Sequence, residues 1–186
     1  MTRARAAGLV LALAGSAGAA WGFDFRGERP VIAVTADGQR TRIGAVAFTP
    51  QPSGLAHFRV RLDPRVLQDH FLSMREFKCL PGGPEITCAV PYPYEQPSVA
   101  GPSSLDWLEH SLLFFFKQPR DYGAKLWNGV IFRFTVTADA LVGEPQAIDL
   151  NRLGVPPERL DVPPYGPADR DAFAPGARWL TQLRIE

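Results

Sequence analysis

Hydrophobic and polar positions alternate with period two along much of the chain, and proline and glycine cut the alternation into short pieces. The clearest piece is Leu55 to Leu62 (LAHFRVRL), where Phe58, Val60 and Leu62 share one face and His57, Arg59 and Arg61 share the other. That pattern puts one face in a core and the other in water, as in an antiparallel strand. Val31 to Thr35 and Thr41 to Phe48 read as strands joined at Asp37-Gly38. This dipeptide favours a two-residue hairpin turn with positive φ at both positions. Gly44, inside the return strand, marks a bulge or a close backbone approach. Asp63-Pro64 reads as a helix cap followed by proline at the first helical position, with a single turn reaching Leu67.

Phe71 to Leu80 and Glu85 to Val90 read as a second hairpin linked by Pro81-Gly82-Gly83-Pro84. The link brings Cys79 and Cys88 across the hairpin from each other, and directly opposed strand residues lie ~4.5–5.5 Å apart at Cα, within disulfide reach. Pro91-Tyr92-Pro93-Tyr94 leaves the hairpin as an extended, polyproline-like piece. Leu105 to Lys117 (LDWLEHSLLFFFK) is ambiguous: its front half fits a helical turn, and Leu112 to Phe116 fits a strand buried on both faces. Trp127-Asn128-Gly129 is a turn signal, Val130 to Thr137 a strand, and Pro145 to Leu150 a short strand placed at an edge by its proline. The final segment, Arg178 to Glu186, reads as a strand with Trp179, Thr181, Leu183 and Ile185 on one face.

The sum is eight or nine short antiparallel strands, at most short helical turns, and no repeat of solenoid length. The predicted fold is therefore all-β: a small antiparallel barrel of lipocalin type, which would remove exposed edges, or a two-sheet β-sandwich. Residues 151–176 form a connection dense in proline, either functional or an ordered surface wrap.

Residues 1–20 carry a different pattern. Arg3 and Arg5 precede the apolar run Ala6 to Ala14, and Ala17-Gly18-Ala19 supplies small residues for cleavage. This reads as a cleavable signal peptide, the run being well short of the ~20 residues that span a bilayer. Residues 21–186 are then one exported domain, with no transmembrane segment in the mature chain, in a compartment where a Cys79–Cys88 bond persists. The 186 residues are 46% hydrophobic and 21% charged with net charge +1, and loss of Arg3 and Arg5 makes the mature chain slightly acidic. No broad basic field exists to hold nucleic acid.

Catalytic constellations are not apparent. The nearest approach to a nucleophile elbow surrounds Ser16, in the leader, with Ala14 where a glycine belongs. His57, His70 and His110 lack metal-ligand spacing. Asp106 with Glu109, and Asp169 with Asp171, are near in sequence only, and Gly82-Gly83 opens no helix and cradles no phosphate. Two cysteines without a Cys-X-X-Cys motif point to a structural bond. Arg59, Arg61 and Arg75 with Tyr92 and Tyr94 have the composition of a stacking platform, yet read more simply as solvent-facing arginines beside proline-packed tyrosines.

The segment Phe71 to Cys79, the run Cys88 to Tyr94, Ile148 to Leu153 and the closing Arg178-Trp179-Leu180 together resemble uncharacterised exported proteins of Gram-negative bacteria. The resemblance covers about a fifth of the chain; it implies a periplasmic or secreted address and brings no activity. The expected function is non-enzymatic: a binding or accessory domain for a small apolar or amphipathic ligand, with Tyr92, Tyr94 and Trp127 as candidate contacts and no metal or cofactor. The alternatives are an envelope interaction protein using residues 151–176, or a hydrolase of envelope polymers if His70 or His110 meets a carboxylate in a cleft.

Overall fold

The computed structural model describes residues 22–186. The leader expected over residues 1–20 lies outside the described residues. The described chain is all-β with short helical turns. Its strands are β1 (Gly27–Thr35), β2 (Arg40–Pro50), β3 (Ala56–Leu62), β4 (Gln68–Asp69), β5 (Lys78–Pro81), β6 (Ile86–Val90), β7 (Val99–Ala100), β8 (Leu113–Lys117), β9 (Gly129–Val136), β10 (Leu141–Ile148), β11 (Asp171–Ala172) and β12 (Leu180–Ile185). One short helix, α1 (Asp106–His110), precedes β8. The strands form one antiparallel ladder in the order β4-β5-β6-β8-β9-β10-β12-β1-β2-β3-β7, with β11 added beside β10. Its terminal strands β4 and β7 do not pair with each other, so no hydrogen-bonded ring of the lipocalin kind forms among the described residues.

The path curls instead. Val31, Ile43, Val46, Phe48 and Phe58 from β1–β3 meet Phe114, Val130, Phe132 and Phe134 from β8 and β9 in one buried cluster. This interior is filled by its own rings: Phe23 and Phe48 stand 5.8 Å apart, as do Phe114 and Phe132. A second cluster lies on the other face, built from Cys79, Ile86, Cys88, Leu113, Phe115, Ile131, Leu150, Leu153 and Tyr165. Successive residues of β8 and β9 feed opposite clusters, which is why Leu113 to Phe116 is a continuous apolar run.

The ambiguous stretch from Leu105 to Lys117 is thus helix then strand, and Cys79 is paired with Cys88 in the β5–β6 register and bonded to it. Gly44 has both expected features. The β1–β2 register shifts at Ile43, and a Cβ on Gly44 would strike the Arg61 carbonyl oxygen.

Four expectations need correction. The turn at Asp37-Gly38 is a longer loop: Thr35 N–H donates to Gln39 O at 3.0 Å, and only Gly38 has positive φ (81°). Residues 70–77 are not strand: Phe71, Met74 and Phe77 are half-buried while Leu72, Ser73, Arg75 and Glu76 are exposed, a spacing of three that no strand has. Pro145 is not at a sheet edge but within β10, beyond the last residue paired with β12 (Gly143) and before the first paired with β11 (Gln146). Lastly, Leu180 rather than Trp179 joins Leu183 and Ile185 in the core. The β1–β12 register skips Thr181, whose hydroxyl donates to Val34 O, and that bulge reverses the faces.

Candidate functional site

The proline-dense segment lies on its own fold, held by α1 and the Tyr92–Tyr94 stretch. Strand β9 has no β8 partner beyond Val130, and Glu109 Oε1 accepts the Phe134 N–H there at 2.8 Å. Glu109 Oε2 takes Arg170 at 2.5 Å, both side chains being almost fully buried, and Arg170 also donates to Tyr165 O through Nε (3.0 Å) and Nη2 (2.9 Å). Desolvation pushes the Glu109 carboxyl up despite that pairing. His110 is 0% exposed; its Nδ1 faces Asp106 O at 2.7 Å and its Nε2 accepts the Tyr165 N–H at 3.2 Å. Burial lowers its pKa to about 4. The Tyr165 ring stacks on it, and the Tyr165 hydroxyl donates to Asp149 O.

Two of the expected contact residues belong to this packing. Tyr94 Oη donates to Leu153 O at 2.6 Å, and Tyr92 packs edge-on to Tyr94, Trp107 and His110 at 5.8–6.2 Å. They are not a free stacking platform, and Arg61 is taken by Glu28 at 2.9 Å. Trp127 stands apart: it is 60% exposed, with the Lys125 ammonium over its ring. The disulfide Cys79–Cys88 is buried in the second cluster. Both nitrogens of His110 are committed to the backbone, so it meets no carboxylate as a base. Among the described residues no group of three or more His, Cys, Asp or Glu is placed to hold a metal ion.

The arrangement that sequence reading missed lies at the far end of β8. Lys117 shares a face with Leu113 and Phe115, yet it is only 3% exposed. No carboxylate among the described residues pairs with it. Its Nζ makes a long contact to His70 Nε2 at 3.5 Å and lies over the Phe71 ring at 5.6 Å. Partial burial first, and Lys117 second, hold the His70 pKa below its ordinary value, which leaves the imidazole able to accept from the ammonium. These groups line a cleft of about 380 Å³ between residues 70–74 and 117–123. Leu72 and Tyr122, both 98% exposed, stand at it with Met74, and Asp121 is also present, its carboxylate taking the Gln118 N–H at 3.1 Å. The lone signal was Lys117 ending an apolar run, a place where strands commonly end in solvent.

The chain matches no family model, no curated protein and no solved structure. Among the described residues no helix is long and apolar enough to cross a membrane.

Proposed function

We propose that the chain is an exported binding protein without catalytic chemistry, and that it takes an amphipathic anion in the cleft at the end of β8. The observation that carries this reading is Lys117: a buried cation with no carboxylate partner among the described residues, beside a neutral imidazole and at a cleft with exposed apolar groups. A buried charge is costly unless it is paired, and an incoming carboxylate or phosphate would pair it. Leu72, Met74 and Tyr122 give an acyl or aryl tail apolar surface to cover, so head and tail bind together. The filled interior favours this surface cleft over a guest held inside the sheet. Export to the periplasm or beyond agrees with the leader pattern and with a disulfide that persists in an oxidising compartment.

The test compares decanoate, decanol and decyltrimethylammonium by titration calorimetry on the wild type and on Lys117→Met, which keeps the stem and removes the charge. Decanoate binding that weakens by about tenfold or more in the variant, equivalent to roughly 1.4 kcal/mol or more, with decanol unchanged, supports the proposal. The thermal midpoint should hold or rise, since a solitary buried cation has been removed. Equal binding of decanoate to both proteins would overturn it, as would a preference for the cationic amphiphile.

A further inference from the structure

A different place on the molecule invites a strand. Strand β3 is the last long strand at its end of the ladder. Asp63 N–H donates to Ile43 O of β2, whereas Phe58 N–H donates away from β2 to Ser98 O at 2.8 Å. Backbone direction alternates along a strand, so the amides of Val60 and Leu62 also face away from β2. Strand β7 covers only Ala56 and His57, and nothing among the described residues pairs with Val60 or Leu62 on that outward side.

The gap follows from the sequence. Ser98 has φ 51°, the one non-glycine residue with positive φ among the described residues, and there the chain turns away from β3. Pro91, Pro93 and Pro97 then deny the neighbouring segment three of the N–H donors it would need to continue as a strand. What remains is a cleft of about 400 Å³ lined by His57, Arg59, Val60, Tyr92, Gln96, Ser98 and Ser111. On its far wall Ser111 Oγ donates to Trp107 O (2.9 Å) and therefore accepts from Gln96 Nε2 (2.8 Å), which fixes the amide and leaves Gln96 Oε1 buried without a donor. Tyr92 Oη is also buried and unpartnered. Arg59 flanks the edge, and no carboxylate among the described residues is paired to it.

We propose that this edge is a strand-addition site for an extended acidic peptide. Backbone bonds to Val60 and Leu62 would provide the register, Arg59 would favour acidic side chains alternating on its face, and the orphan groups of Gln96 and Tyr92 would be satisfied from the opposite wall. The two-residue span of β7 leaves room for an added strand along the rest of β3.

The test follows amide exchange by NMR with acetylated hexapeptides of alternating glutamate and valine, or of lysine and valine. Slowed exchange at Val60 and Leu62 with the acidic peptide, weakened about tenfold by Arg59→Glu and abolished by Val60→Pro, is the expected result. Val60→Pro removes only the outward N–H and no bond of the β2–β3 ladder. Three results would overturn the proposal: no protection at these amides, equal binding of the basic peptide, or protection that appears without peptide and grows with protein concentration. The last would mean that a second copy occupies the edge.

Discussion

His110 sits between two backbone groups of opposite character. Asp106 O needs a proton from Nδ1, and the Tyr165 N–H needs a lone pair on Nε2. The neutral ring with its proton on Nδ1 satisfies both; the imidazolium satisfies one and sets two donors against each other. The unfolded chain takes up this proton near pH 6.5 and the folded chain only near 4. Between those values the unfolded state binds more protons, so stability falls as the pH drops through that window and does not depend on His110 above it. The full shift corresponds to about 3 kcal/mol. Glu109 beside it acts in the other direction. Its raised pKa means that the folded state holds a proton the unfolded state has lost, so stability declines as the pH rises through the folded value. Comparing the wild type with His110→Gln separates the two. Urea unfolding at pH 7 and pH 4 should show the wild type losing about 3 kcal/mol more than the variant, and parallel losses would mean that the ring is not held neutral.

At the scale of elements, the β5–β6 hairpin lies near an end of the ladder, with only the two-residue β4 beyond it. Few neighbours hold it, and Cys79–Cys88 closes a short loop there between two buried positions. Replacing both cysteines by alanine should cost roughly 2–3 kcal/mol in urea unfolding, with amide exchange rising first in β4–β6. A loss spread evenly over the sheet would place the bond's effect elsewhere. This hairpin was readable from its proline–glycine link, although its register, Lys78 to Pro81 against Ile86 to Ala89, centres between Gly83 and Pro84 and not on the middle of that link. Strands β3 and β9 were readable for a related reason: one row of each meets a core, and the other carries Arg59 and Arg61 in β3, or Arg133 and Thr135 in the second half of β9. Legibility failed where period two failed. The skipped Thr181 in β12 swaps its faces, Pro145 is tolerated where β10 changes neighbours, and residues 70–77 hold Phe71 and Phe77 inward by loop geometry. The cleft around Lys117 was hidden for the same reason, since it needs that loop to meet residues 117–123, a contact that no local pattern encodes. Tyr92 and Tyr94 were visible as aromatic residues, but Tyr92 packs on α1 and Tyr94 is held by Leu153, some sixty residues along the chain.

The whole molecule has two cores that share two strands. Side chains of β8 and β9 alternate between them, Phe114 and Phe132 on one side, Phe115 and Ile131 on the other. The first core is enclosed by the curled sheet itself, whereas the second is covered in part by the proline-dense segment, through Leu153 and Tyr165. That cover hangs on few bonds, chiefly Arg170 to Glu109, Tyr94 to Leu153 O, and the Tyr165 N–H to His110. The two cores should therefore respond unequally to damage. Arg170→Met leaves the Glu109 carboxylate buried without its cation, a change of about 3–5 kcal/mol when a buried pair is broken. The loss should grow as the pH rises and Glu109 is forced to ionise. Because the bond joins cover to core and not strand to strand, exchange should accelerate over residues 150–170 while β1–β3 and β12 stay protected. Phe132→Ala, by contrast, opens a cavity beneath both arms of the sheet and should cost about 3–5 kcal/mol with protection lost everywhere together. If Arg170→Met loosens β1–β3 as much as residues 150–170, the segment is not a cover but part of the fold's single cooperative unit.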